Sequence, residues 1–363
     1  MKRKIVIAIL CAAVSMGTIG CGNSTASAKT TQTQTDKKED SKSENSEKSS
    51  EEKQSRDIFA MDTYMTVTAY GEHASEAVDK AETEIKRLDG MLSTGNENSE
   101  VYKLNQNGEA VVSDDTAYLY ERSEKIYKQT KGVFDISIYP VMDAWGFTTE
   151  NYRIPAEGEL NALLKNVDAS KIQYDKKTKK ITLPKNVKID FGGIAKGYTS
   201  SRIMQIYKKC GVTSVLVSLG GNVQLLGAKP DGSAWKVAVE SPDEDGNYLG
   251  ILQEKDKAVI TSGGYERYFE KNGKKYHHII DPANGYPANN GLTSVTIVSD
   301  DGTLADGLST SLFIMGPEKA QKYWKEHSDE FDTILVKDDG SILVSEGLAE
   351  YFTSESDFTI IKK

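Results

Sequence analysis

Apolar side chains at Ala74, Ala77, Val78, Ala81, Ile85, Leu88 and Leu92 recur every three or four positions, and that spacing predicts an amphipathic helix. Just before it, Ile58 to Tyr70 alternates between apolar and polar residues and predicts a strand. Strand-like runs follow at Ser214 to Leu219, Trp235 to Glu240, Ala258 to Thr261, Leu292 to Ser299, Thr333 to Val336 and Ile342 to Ser345. Helical spacing marks Thr116 to Thr130, Ala195 to Cys210 with Gly211 as its stop, Leu304 to Met315, and a last helix opening at Pro317. Runs of strands between separated helices predict an α+β domain rich in antiparallel sheet, without regular βαβ alternation.

The first residues read differently. Lys2, Arg3 and Lys4 precede an apolar run from Ile5 to Val14, and the segment closes at Gly20 before Cys21. That is the layout of a bacterial lipoprotein signal over residues 1–20, with Cys21 as the lipidated first residue; the apolar run is too short for a comfortable membrane span. From residue 21 to 56 the chain is almost free of large apolar side chains, so it is expected to be a solvated tether for a domain over residues 57–363. A lipid anchor and a tether imply a domain held at the extracytoplasmic face of the cell membrane.

Charge narrows the partners. Lysine and arginine number 45 against 54 acidic residues, a net charge of −9, and no stretch combines basic density with stacking aromatics. Nucleic acid is therefore disfavoured. With Cys11 inside the signal and Cys21 lipidated, Cys210 is the one thiol left to the domain, which excludes an internal disulfide framework and a cysteine metal cluster.

Three segments carry candidate chemistry. Residues 189–198 read IDFGGIAKGY, a short strand that stops at Gly192 and Gly193 and restarts as a helix with Lys196 in its first turn. A helix start leaves N–H groups unpaired and carries partial positive charge, so this arrangement suits a phosphate, although glycines between strand and helix also serve as a plain tight connection. The spacing is neither a Walker A loop nor GxGxxG. Asp306 and Thr310 lie one helical turn apart and offer a carboxylate and a hydroxyl to a hard cation such as magnesium; a helix cap and an ordinary buried threonine is the plainer reading. His277 and His278 face opposite ways if they lie in an alternating strand, so only one can point into a site, and none of the chain's four histidines has zinc-site spacing.

Taken in order, these segments resemble the ApbE family of flavin transferases from Ile58 to the C-terminus. The motifs are Met61-Asp62-Thr63, Gly132-Val133-Phe134-Asp135 followed by Trp145-Gly146-Phe147, Asp190 to Tyr198, Ser218-Leu219-Gly220-Gly221-Asn222, Ser262 to Arg267, His278 to Pro287, and Ala305 to Thr310. The resemblance implies an ApbE-like, T-fold-like domain that binds FAD and Mg2+ and moves FMN onto a threonine or serine hydroxyl of an acceptor protein, releasing AMP. It implies FAD-binding positions at Met61, Val133, Phe134, Asp135, Asp190, Lys196 and Ile280. Magnesium would be held by Asp306, Thr310 and the carbonyl of Gly193. His278 is nominated as the base, with Asp306 able to share that role, and the acceptor is expected to be an extracytoplasmic electron-transfer protein. Two alternatives keep the same residues: an FAD pyrophosphatase giving FMN and AMP, and a flavin-binding lipoprotein without catalysis. The chain departs from the family at Asp62, where many relatives have glycine, and at Ser93-Thr94-Gly95-Asn96, where relatives often have a tyrosine.

Overall fold

The computed structural model describes residues 52–243 and 247–363. The signal, Cys21 and nearly all of the tether lie outside the described residues. The domain is α+β, built on a nine-stranded sheet whose spatial order is its order along the chain. The strands are β1 (Lys53–Ala60), β2 (Thr63–Tyr70), β3 (Ser214–Leu219), β4 (Asn222–Leu226), β5 (Ala258–Gly263), β6 (Leu292–Ser299), β7 (Asp332–Lys337), β8 (Ile342–Ser345) and β9 (Phe358–Ile361). Each neighbouring pair is antiparallel except β8 and β9, which run parallel.

Among the described residues eight α-helices fill the connections: α1 (Ala74–Leu92), α2 (Glu100–Asn107), α3 (Asp114–Gln129), α4 (Tyr139–Trp145), α5 (Glu157–Leu164), α6 (Ala195–Lys209), α7 (Gly302–Met315) and α8 (Pro317–Glu326). The buried residues of α1 are the seven apolar positions of its sequence pattern; Ala74 to Ile85 pack with Met65, Val67, Val215 and Val217 of the sheet and with Ile203 and Tyr207 of α6, while Leu88 and Leu92 join the cluster of Val101 and Leu104 on α2. Helix α7 is buried nearly all round between the sheet and its neighbours. The opposite face of the sheet is covered by a second, three-stranded sheet of Trp235–Glu240, Tyr248–Glu254 and Phe352–Thr353.

Three sequence expectations change. Ile58 to Tyr70 is a hairpin of two strands, because Met61 and Asp62, at φ 48° and 57°, form a two-residue turn that pairs Ala60 with Thr63. Alternation runs on through so short a turn, and the only trace is a switch of parity: Ile58 and Ala60 are buried before it, Met65, Val67 and Ala69 after it. The sheet begins at Lys53, so residues 53–56, placed with the tether, are the polar start of an edge strand. Ile189 to Phe191, with Ile189 and Phe191 buried and Asp190 partly open, belongs to no strand. Its backbone groups are paired by a side chain instead: Asn105 Nδ2 donates to the Ile189 carbonyl and Asn105 Oδ1 accepts from its N–H, both at 2.8 Å. The Asp190 N–H donates to the Ile136 carbonyl at 2.9 Å. Elsewhere the helix and strand boundaries shift by a residue or two.

Candidate active site

Two helix starts meet at the site, and glycine is what lets them meet. A Cβ at Gly197 in the first turn of α6 would stand 2.1 Å from the Gly302 carbonyl oxygen and 2.6 Å from Asp306 Cβ on α7. With no side chain there, the backbone of α6 comes within hydrogen-bonding reach of α7, and Asp306 Oδ2 accepts from the Gly197 N–H at 2.8 Å. Asp306 Oδ1 accepts from Asn222 Nδ2 at 3.0 Å. Asn222 follows the Gly220-Gly221 turn that joins β3 to β4, so three elements converge on one carboxylate.

That carboxylate is 3% exposed and has no ion-pair partner among the described residues. Two neutral donors do not replace the hydration of a buried charge, so the position calls for a cation. One turn along α7, the Ser309 hydroxyl donates to the Asp306 carbonyl at 2.8 Å. Ser262 must then be the donor to Ser309 across their 2.8 Å contact, and Thr310, 3.4 Å from Ser262, keeps its lone pairs. A buried uncompensated carboxylate beside a hydroxyl oxygen fits a hard, oxygen-seeking ion that draws its other ligands from substrate and water.

The N-cap residue of α6, Ile194, offers no side-chain cap, Asp306 taking the first-turn Gly197 N–H instead, and Lys196 lies in that turn, half-buried and without an ion pair among the described residues. Gly193, just before it, lies close to Phe134, whose ring a Cβ there would approach to a tight 3.2 Å. Asp190 is partly open, with Oδ1 accepting from the Gly192 N–H at 2.9 Å; burial holds its carboxyl above the usual range against the pull of Gly192 and Arg267. Asp62, at the β1–β2 turn, adds to that rise, which places the hairpin tip beside the Asp190 loop. Met61 itself donates its N–H to Asp89 Oδ1 at 2.9 Å.

The other FAD-binding candidates sit less directly. Asp135 is buried and spent: Oδ1 accepts from the Ser137 N–H and hydroxyl, and Oδ2 from the Ala169 N–H. It caps the turn Ile136–Ile138 that holds the Asp190 N–H. Phe134 is buried beside Gly193 and Gly307, and Val133 packs on the same core while half-open. Ile280 belongs to a separate aromatic cluster with Trp145 and Phe147.

The histidines are told apart by their hydrogen bonds. His277 ends a short strand; its Nε2–H donates to the Ala288 carbonyl at 2.9 Å, its Nδ1 accepts from the Ile279 N–H at 3.3 Å, and its ring packs on Phe313. Both nitrogens are used, so this imidazole is structural. His278 stands outside the strand and donates Nδ1–H to the Arg267 carbonyl at 3.1 Å, which leaves the Nε2 lone pair available. Burial, then the positive charges of Arg267 and Lys196, push its pKa down to about 3. Glu266 lies within the field of Lys196 and Asp306, and burial raises its carboxyl to about 8, Lys196 opposing. Asp190 and His278 are partly open to solvent and Glu266 is exposed, so all three can be reached from outside.

Sequence reasoning gave no role to Asn222, Glu266, Arg267 or Tyr139. The first three lay within recognised motifs. Tyr139 opens α4 with its ring half-exposed, bonds Thr94 through its side chain and lies within the field of Asp190, so an aromatic ring stands beside the loop that lacks one.

Comparison with known proteins gives the chain its relatives. The ApbE family model matches residues 61–335. The FAD:protein FMN transferase of Vibrio cholerae is 31% identical over 269 residues, covering 71% of this chain and 80% of that protein. That of Haemophilus influenzae is 29% identical over 291 residues, covering 77% and 83%. Among solved structures, an ApbE protein from Thermotoga maritima has a TM-score of 0.78 and 32% identity, covering 83% of this chain and 99% of that one. With the family model spanning most of the domain, the chain belongs to the ApbE family.

Proposed function

We propose that this protein transfers FMN from FAD to a threonine or serine hydroxyl of an acceptor protein through a phosphoester bond, releasing AMP. Relatives named FAD:protein FMN transferase support the transfer. The observation that carries it to these residues is the convergence of the Asp306 carboxylate on the α6 start, Lys196 in that first turn, and the free Nε2 of His278 within the field of Lys196.

The reaction follows from what each group can do. The α6 start and Lys196 draw the pyrophosphate in, and Asp190 is placed to accept a hydrogen bond from the dinucleotide. Bound phosphate charge would oppose the effect of Lys196 and Arg267, which after burial are the causes of the low His278 pKa. The acceptor hydroxyl oxygen then bonds to the flavin-side phosphorus, its proton passes to His278 Nε2, and the bridging P–O bond breaks with AMP as leaving group. Asp306, Thr310 and the Gly193 carbonyl would hold Mg2+, which when bound supplies charge neutralisation at the pyrophosphate.

The same reading places the enzyme at the extracytoplasmic face of the cell membrane, anchored through Cys21, with an extracytoplasmic electron-transfer protein as acceptor. Support for the anchor is the residue pattern up to Cys21. Cys21→Ser should abolish incorporation of labelled palmitate in cells. For the chemistry, the full chain is incubated with FAD, MgCl2 and a candidate acceptor and followed by mass spectrometry. Acceptor carrying FMN is expected; free FMN and AMP alone would indicate a pyrophosphatase, and intact FAD a binding protein.

A further inference from the structure

The motif Ser218 to Asn222 is not used by the chemistry above, yet its last residue makes the only side-chain hydrogen bond to the Asp306 carboxylate among the described residues. Asn222 is 2% exposed and fixed at the first position of β4, directly opposite Leu219 across a tight turn. Its amide can donate to Asp306 Oδ1 without bringing a charge. The Gly197 N–H takes Oδ2 from the other side. Together they clamp the carboxylate between β4 and α6, so its remaining lone pairs are aimed rather than free to rotate.

We propose that Asn222 is a positioning residue that sets how strongly the Asp306 site takes a divalent cation. It aims the carboxylate by donating to it, and as a neutral amide it keeps the site at a single negative charge. Groups that orient a metal ligand commonly change affinity by about ten- to a hundredfold. An aspartate at 222 would stand about a hydrogen-bond length from Asp306 and repel it until a cation bridged the pair. The two substitutions therefore move affinity in opposite directions, which a merely structural asparagine would not do. This inference rests on the magnesium reading given above.

The test is calorimetric titration of MgCl2 into the full chain saturated with FAD, without acceptor, so that binding rather than turnover is read. Asn222→Ala should weaken Mg2+ by about tenfold. Asn222→Asp should bind Mg2+ more tightly than the unaltered chain, and its melting temperature without metal should be lower and rise further when MgCl2 is added. Circular dichroism of each variant confirms folding, and the Asp variant carries the test if the Ala variant does not fold. If the unaltered chain binds Mg2+ and both variants bind it within twofold of that value, the inference falls alone. If the unaltered chain takes up no Mg2+, the metal reading and this inference fall together.

Discussion

On one face of the nine-stranded sheet lie helices α1, α6 and α7; on the other lies the three-stranded sheet that includes Trp235–Glu240. The contact between the sheets is built from Val237, Val239, Leu252, Val259, Val298, Ile334 and Phe352, side chains that need only be apolar and fill space. The helical layer buries Thr199, Ser200, Thr303, Asp306, Ser309 and Ser311 within α6 and α7 alone. Buried polar groups cost stability unless paired, so their concentration in one layer marks where the fold gives up packing for chemistry. Helix starts supply what a strand cannot, a cluster of N–H donors aimed at one point.

The largest break in this contrast is at Gly197. Gly197→Ala places a methyl 2.1 Å from a backbone oxygen that has nowhere to go, and should cost about 3 kcal/mol or more. Transfer activity per folded molecule should fall with it, since pushing α6 away from α7 stretches the bond from the residue 197 N–H to Asp306. Val237→Ala in the other layer removes two buried methyl groups and should cost about 1–3 kcal/mol, with activity per folded molecule unchanged. Denaturant midpoints set beside FMN-transfer rates decide it; equal activity loss in both variants would erase the division of labour.

Within the helical-layer site, the adjacent histidines repeat the contrast at the scale of one residue. His278→Ala should lower turnover by about 10²- to 10⁴-fold with FAD affinity nearly kept. His277→Ala, which breaks two hydrogen bonds and a ring contact, should instead cost about 2 kcal/mol of stability and leave turnover of the folded enzyme within a few-fold. An undiminished rate in the His278 variant would remove it from the mechanism.

Acidification sharpens the same pair of roles. The folded His278 pKa of about 3 lies below the ordinary value of 6.5, so between those values the unfolded chain binds a proton that the native state does not. The stability this group contributes is present above pH 6.5 and is lost as pH falls toward 3. Urea midpoints at pH 7 and pH 4.5 should therefore separate less in His278→Ala than in the unaltered chain. Glu266, raised to about 8, works with the opposite sign: the native state keeps a proton that the unfolded chain releases, so its contribution is lost as pH rises from 4.5 to 8.

Regular elements were legible because their period is long enough to average over exceptions. The pattern from Ala74 to Leu92 named the buried face of α1, and Ser214–Leu219, Trp235–Glu240, Leu292–Ser299 and Ile342–Ser345 matched their strands. The β1–β2 turn was hidden because Met61 is not a usual turn residue with positive φ and no glycine follows Asp62 to mark a hairpin. The segment at Ile189 looked like a strand because burial and apolarity do not say who pairs the backbone, and here an asparagine 84 residues away does. Asp306 and Thr310 were found as a pair one turn apart, but nothing local in sequence shows that Gly197 and Asn222 close around Asp306.

The smallest effect tests whether the hairpin tip serves the sheet or the site. Both turn residues occupy the left-handed region, where a side chain costs about 0.5–1 kcal/mol relative to glycine. Asp62 also adds its charge to the neighbourhood of Asp190. Asp62→Gly should therefore stabilise the domain by up to about 1 kcal/mol, read as a higher denaturant midpoint. If the turn only closes the hairpin, FMN transfer is unchanged. If it shapes the cleft, removing the charge beside Asp190 shifts the apparent affinity for FAD, and a gain in stability paired with a change in FAD affinity would assign the strained tip to the helical layer's chemistry rather than to the sheet.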